Sequence, residues 1–544
     1  MKKAVGLILI LVMVLSLAAC GGNSNTTNPP SGGTDAPASQ PGTPDATPTP
    51  APATQEPEGG PKYGGVMRWA SSVDSSLQLG LPQFLPAAAT TLLPPWSECL
   101  LLEASDGSIH PFLATEWDIQ IENSKVIFTL REDVYFTDGS HFNAEVVKWN
   151  IDLAIETKIM NPAVTGAEVV SEFEVAILLN GYTNAVLPIL ASHSFCMVSK
   201  ENYELLGEEE AKNKPVGTGP FIVSEFIPGQ KIVYTRNDNY WQEGKPYLDA
   251  IEFVSITDVM TQNAAVLTDD PQSKVDVLTT AVGEQIQLLR DTAPVYVTRN
   301  VSGPLVFYPD SNNPDSPLAI QEVREAISYA IDRELICEAR GFGIWQPAKA
   351  FVPPPYIGNK GDENFFEYNP EKSLELLAEA GYPDGFTIPM HCPAAVDRDA
   401  MVALQSMLGE VGIIAELSFP EAGAATELRT QGWDGIYVGT FATLPSISST
   451  YRLAVDPLQQ FYPSTWRPYA VIDEWRELYE SSRLTIKAEQ GPFERMHEGM
   501  LEYMVLIPIY DQYGSYVINN RVHDSGWGEW GVGTMFRPWD VWVD

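Results

Sequence analysis

Positive charge is scarce in this chain: 33 Lys and Arg stand against 71 Asp and Glu in 544 residues, a formal net charge of -38. That balance excludes nucleic acid, or an anionic bilayer gripped by the folded surface, as a partner, because both are held by clustered cations that displace counterions. An acidic surface of this kind serves solubility. Histidine is sparse too, and the six (His110, His141, His193, His391, His497 and His523) do not cluster, so no metal site is expected. Of five cysteines, Cys20 ends the leader and Cys99, Cys196, Cys337 and Cys392 are scattered without C-x-x-C spacing. A disulfide between two of the four stays open at this level, with its partners unassigned. Beyond the leader no apolar run reaches the ~20 residues of a spanning helix. Hydrolase and nucleotide signatures are missing as well. His497-Glu498 has no second histidine at zinc-protease spacing, no Gly-x-Ser-x-Gly occurs, Gly341-Phe-Gly343 continues as Ile-Trp-Gln, and Gly217-Thr218-Gly219 lacks the phosphate-loop lysine. No catalytic residue and no cofactor is expected.

What is present begins with an export leader. Met1, Lys2 and Lys3 are followed by an apolar run to Leu17 and by Leu17-Ala18-Ala19-Cys20, which resembles the bacterial lipoprotein box, with Cys20 the acylated first residue of the mature chain. Two acyl chains on one cysteine anchor stably where a single chain is marginal. Residues 21–60 are nearly all Gly, Asn, Ser, Thr, Pro, Ala and Gln with a few acids and no apolar periodicity, and are expected to form a disordered tether whose coil reach is about 35 Å. From residue 61 the chain is rich enough in apolar and aromatic side chains (44% and 10% overall) to bury a large core in more than one domain. Val66–Ala70 and Lys125–Leu130 read as strands. Asp138-Gly139 reads as a turn, and Asn143 as the cap of a helix presenting Val146, Val147 and Ile151. Ser316-Pro317 is expected to open a helix with Val323, Ile327 and Ala330 on one face. Asn369-Pro370 should open another, carrying Leu374, Leu377 and Ala378 and closed by Gly381. The alternation is that of a mixed α/β protein.

Gly64-Gly65-Val-Met-Arg-Trp-Ala70, His110 to Trp117 and Phe128 to Gly139 resemble the opening lobe of the family 5 solute-binding proteins, which include oligopeptide-, dipeptide- and nickel-binding receptors. Pro215-Val-Gly-Thr-Gly-Pro-Phe221, Tyr234 to Trp241 and Pro246 to Asp249 are similar to the family's most recognisable block, and Val323 to Arg333, Tyr368 to Lys372 and Leu376 to Gly381 to its second lobe. The motifs run in family order over 62–544. One departs slightly, since the family's Ala-Glu-Asp-Val is here Ala144-Glu145-Val146-Val147.

The resemblance implies a two-lobed α/β periplasmic-binding-protein (Venus-flytrap) fold, class II-like, with an extra subdomain in lobe one. Lobe one is expected over 61–303 with the insertion at about 90–210, lobe two over 304–506, and a return to lobe one over 507–544, with crossings near Val301–Leu305 and Ile507–Tyr510. It implies a monomeric receptor that holds a peptide or other small molecule between its lobes and hands it to an ABC permease and ATPase, touching the membrane only through its lipid anchor. Ligand-contact candidates are Ser71, Ser72, Val73, Asp74, Trp96 and Tyr308, then Arg429, Trp433, Tyr437, Thr440, Phe441 and Thr443. Signature residues such as Gly217, Gly219, Asn237, Tyr240 and Trp241 are expected to serve the fold. Peptide receptors of the family carry an aspartate ahead of a proline in this part of lobe two, paired with the ligand's α-ammonium. Here Gly435 to Val455 holds no carboxylate. Asp434 or another acid must then supply the counter-charge, or the ligand is of another class, an oligosaccharide or a metal chelate. A receptor that docks with a sensor in place of a permease would carry the same cleft.

Overall fold

The computed structural model describes residues 60–544 apart from 72–77, 83–84, 86–90, 105–107, 158–162, 193–194, 281–282, 298–299, 351–366, 395, 442–472, 483, 486–489 and 528–535. Cys20, Ser72, Val73, Asp74 and Thr443 therefore lie outside the described residues. Among those described, no helix is long and apolar enough to cross a membrane.

Strand β1 (Val66–Ser71) alternates so that Met67 and Trp69 are buried on one face. A short pair follows, β2 (Leu101–Glu103) with β3 (Ile109–Pro111), and then four antiparallel strands, β4 (Ala114–Gln120), β5 (Lys125–Leu130), β6 (Val164–Ser171) and β7 (Glu174–Leu179), in the order β4-β5-β7-β6. The helix Ala144–Glu156 starts where expected: the Asn143 side chain accepts from the Val146 N–H, and Val146, Val147 and Ile151 are buried. With these strands it encloses a core of its own, running from Leu100 to Met197.

The chain then builds β8 (Phe221–Ile227), β9 (Lys231–Arg236), β10 (Ala250–Ser255), β11 (Val277–Thr280) and β12 (Val295–Val297), followed by β13 (Asn300–Pro309), β14 (Gln346–Pro347), β15 (Phe386–His391), β16 (Ile413–Ser418), β17 (Ile436–Thr440) and β18 (Ile507–Asn519). They join β1 in one twelve-stranded path, β16-β15-β17-β13-β18-β11-β1-β10-β9-β8, with β12 and β14 beside β18. β18 belongs to both ends of that path. Ile507, Ile509 and Tyr510 pack in the core built by 305–510, whereas Tyr516 and Ile518 pack in the core around Trp69, Trp96 and Tyr234. β13 runs antiparallel to β18 from Asn300 opposite Gly514 to Phe307 opposite Ile507, with register shifts between Val301 and Gly303 and between Leu305 and Val306. Bulged, two-stranded passages of this kind bend more readily than a wide sheet.

Two helices differ from expectation. The segment after Ser316 is a 3-10 turn, Pro317–Ala319, and the α-helix begins afresh at Gln321–Tyr329. The break has a reason: the buried Arg324 guanidinium donates to the Leu318 and Ala319 carbonyls, and to those of Tyr503 and Met504, so those groups leave the helical ladder. In the helix Pro370–Glu379, capped by Asn369 as expected, the buried stripe is Ser373, Leu376 and Leu377, while Leu374 is 46% exposed. The Ser373 hydroxyl donates to the Ala326 carbonyl at 2.7 Å, which turns that face inward.

Candidate functional site

On the second sheet end, β13 and β17 are antiparallel with Tyr308 opposite Tyr437 and Val306 opposite Gly439. Side chains directly opposite one another share a face. Leu305 and Phe307 of β13, with Ile436 and Val438 of β17, enter the second core. The alternate residues, Val306, Tyr308, Tyr437 and Phe441, are buried on the other face. Trp433 joins them, its indole N–H donating to the Tyr308 carbonyl at 3.0 Å, with ring centroids 6.4 Å from Tyr308 and 5.3 Å from Tyr437. Tyr308 Oη donates to the Thr440 carbonyl at 3.3 Å, and the Phe441 N–H to the Pro304 carbonyl at 2.8 Å. Gly435 starts β17 at φ +73°, with its Cβ position 2.2 Å from the Pro389 carbonyl, so no larger residue enters the strand there. Five of the candidates, Tyr308, Trp433, Tyr437, Thr440 and Phe441, are thereby brought together. One helical turn before Trp433, Arg429 has a buried Nε without a hydrogen-bond partner among the described residues, and its Nη2 lies 3.3 Å from Thr426 Oγ1.

The lobe-one candidates lie elsewhere. Ser71 is buried at the end of β1, opposite Ser255. Trp96 is 1% exposed within the core around Trp69, its backbone wedged against Gly217 and Gly219. A cavity of about 430 Å³ lined by Asp138, Asn202, Lys214 and Phe226 among others shares no residue with the candidates. Among the described residues, no three His, Cys, Asp or Glu side chains converge in a way that would hold a metal ion.

The acids divide by partner. Asp434 is 75% exposed at its side chain, with His391 Nε2 at 3.3 Å. Glu98 is buried, but Thr218 Oγ1 (2.8 Å), Tyr240 Oη (2.6 Å) and Trp241 Nε1 (3.0 Å) all donate to it. The recognisable motifs thus meet on one carboxylate. Burial raises it to about 7 against the lowering effect of those bonds. Glu103 on β2 and Asp511 on β18 have no such help: Glu103 Oε1 and Asp511 Oδ1 are buried without hydrogen-bond partners among the described residues. Burial pushes Glu103 up to about 8 and Asp511 up to about 7. Sequence reading passed over Asp511. The available signal is an acid directly after the apolar strand segment Ile507–Tyr510.

These three groups set a pH dependence. Their folded values lie above their ordinary ones, so between about pH 5 and 8 the folded state holds more protons than the unfolded chain, and stability falls as pH rises. The exposed, depressed Asp133, Asp258 and Asp270 act only near their own lower range. The urea midpoint is expected to be lower at pH 8 than at pH 5.5, with Glu103→Gln flattening the slope; a midpoint that rises over that interval would contradict the assignment.

A family model described as bacterial extracellular solute-binding proteins, family 5 Middle, matches residues 108–458. The chain belongs to that family. Glutathione-binding protein GsiB of Salmonella typhi is 30% identical over 376 residues, 67% of this chain and 71% of GsiB. Among solved structures, the periplasmic binding protein DppA of Helicobacter pylori in complex with the peptide STSA matches with TM-score 0.71 at 20% identity, over 89% of this chain and 98% of DppA. NikA of Brucella suis in complex with Fe(III)-EDTA matches with TM-score 0.74 at 19% identity, over 87% and 99%. The fold is therefore the two-lobed α/β architecture of family 5 periplasmic binding proteins, and its named relatives are binding proteins.

Proposed function

We propose that this chain is the lipid-anchored, extracytoplasmic receptor of an ABC importer, which captures a short peptide between its lobes and presents it to a membrane permease by hinge closure. The lobes are 61–303, carrying an inserted subdomain at about 90–210, and 304–506, with 507–544 returning to the first. The observation that carries the reading is β18, one strand whose two halves enter separate cores, paired with β13 beside a face of buried aromatic and polar groups that is not part of either core. A hinge of a few residues closes only if the ligand binds the closed state better, which requires contact with both lobes. GsiB binds glutathione by name and DppA was solved with a tetrapeptide, and both favour a peptide-sized guest. The oligosaccharide alternative needs free ring faces for stacking. Tyr308, Trp433 and Tyr437 are at most 5% exposed and pack on one another, which favours the peptide reading.

Ligand at a hundred times its Kd is expected to raise unfolding stability by about 2.7 kcal/mol. A thermal-shift screen of dipeptides to pentapeptides, oligosaccharides and metal chelates reads this directly, and a response confined to sugars would eliminate the peptide reading. Cys20→Ala is expected to move the protein from the membrane fraction to the medium or leave it unprocessed, because the acyl chains are its sole anchor. Undiminished membrane attachment would refute the lipoprotein assignment.

A further inference from the structure

We propose that the Asp511 carboxylate is the anionic anchor of the binding cleft, the counter-charge for the α-ammonium of a bound peptide. The inference rests on the peptide-receptor reading and supplies what the Gly435–Val455 stretch lacks. Asp511 stands on β18 between the two cores, opposite Pro304 of β13 and Gln346 of β14. Being opposite Pro304, it shares the face of Val306 and Tyr308, and through them that of Tyr437 and Gly439; its neighbour Tyr510 points the other way, opposite Leu305, and stacks on Trp345. The carboxylate is 8% exposed, and Oδ1 has no hydrogen-bond partner among the described residues.

A buried carboxylate left without donors is costly unless a function retains it. The other buried acids make the contrast. Glu98 has three donors, Asp276 takes two bonds from Arg521, and Asp310 takes one from Ser316. Glu103 shares the lack of a partner but sits on β2, which pairs with β3 and with neither β13 nor β18. Cys337 of the helix Arg333–Arg340, whose thiol is itself pushed up by burial, interacts electrostatically with Asp511, and Arg333 and Arg340 flank it on the same helix. Arg333 is committed to the Pro508, Ser328 and Ile331 carbonyls and the Ser328 hydroxyl, and Arg340 to Asp397, so neither neutralises Asp511. An ammonium donor from a ligand would satisfy Oδ1.

The test uses the mature chain, dipeptides to pentapeptides with glutathione among them, and the N-acetylated form of each, measured by calorimetry. For the unmodified protein, acetylation is expected to weaken binding by roughly a hundredfold, the loss expected when one partner of a buried charge pair is removed. Asp511→Asn should weaken free-amine peptides by a similar factor and leave acetylated ones within about threefold. Equal affinity of the unmodified protein for free and acetylated peptides would overturn the anchor while leaving the peptide reading intact. Absence of binding by any peptide would overturn both. Should Asp511→Asn not fold, the acetylation series on the unmodified chain decides alone.

A separate observation carries a second proposal: Cys99 and Cys196 form a disulfide in the exported protein. Their Sγ atoms are 2.8 Å apart and both residues are at least 94% buried. The segments that bear them lie side by side, with the Met197 N–H donating to the Glu98 carbonyl and Ser97 Oγ to the Met197 carbonyl. The two thiols would lose two protons and two electrons to a dithiol-oxidising protein disulfide outside the cytoplasm, which leaves as a dithiol while the Sγ–Sγ bond forms. In denaturant without reductant, protein recovered from the cell surface should take up alkylating reagent at Cys337 and Cys392 only, with Cys99 and Cys196 labelled after reduction. Labelling of all four before reduction would overturn the proposal.

Discussion

Gly217→Ala should cost the folded state about 3 kcal/mol, at the upper end of what overpacking usually does. A Cβ there would sit 2.2 Å from the Trp96 carbonyl oxygen and 3.0 Å from Ser97 Cα, and both obstacles are backbone. They cannot swing aside, because the two segments are laced together: the Gly219 N–H donates to the Trp96 carbonyl at 3.0 Å and the Phe221 N–H to the Pro95 carbonyl at 2.8 Å. Thr218, between the glycines, donates to Glu98 and would be displaced with them. Gly409→Ala is the matched control. That glycine lies in the helix Arg398–Glu410 with open space around its Cβ position, and the change should stabilise by about 0.5–1 kcal/mol. Urea unfolding followed by circular dichroism measures both. A loss under about 1 kcal/mol for Gly217→Ala would mean the contact yields more than its geometry allows.

Arg521→Met is expected to destabilise by roughly 3 kcal/mol, the low end of the range found when one partner of a buried ion pair is removed, because the Arg521 side chain is itself 34% exposed. Asp276 is 2% exposed at its side chain and accepts from Arg521 Nε at 2.6 Å and Nη2 at 2.8 Å, as well as from the Arg68 N–H at 2.9 Å. Arg521 also donates to the Val66 carbonyl, so one guanidinium ties the chain after β18 to β1 and to the start of β11. Without it a buried carboxylate loses its counter-charge. Adding Asp276→Asn should recover part of the loss, and a double-mutant cycle measures the coupling. Strict additivity of the two changes would show that the pair contributes nothing as a pair.

Local signals carried well from sequence to structure wherever one short stretch holds all the information. Strand β5 has the bounds read from Lys125 and Leu130, and Asn143 and Asn369 cap the helices that follow them, because alternation and capping depend on neighbours a few residues away. The same reading erred where a distant group intervenes: Arg324 breaks the helix after Ser316 by taking its carbonyls, and Ser373 turns Leu374 outward by reaching Ala326.

The candidate site divides along the same line. Tyr308, Trp433 and Tyr437 could be named from motif order, but their common face follows from the β13–β17 register, and Asp511 joins them only through a strand that begins some 70 residues further on. By itself, the sequence determined the family and the mixed α/β class, both of which rest on motif order and short-range pattern. Tertiary structure alone decided which carboxylates are buried with donors and which without, and that Cys99 and Cys196 are neighbours. Burial and pairing arise from segments about a hundred residues or more apart packing together, and no local pattern encodes that meeting.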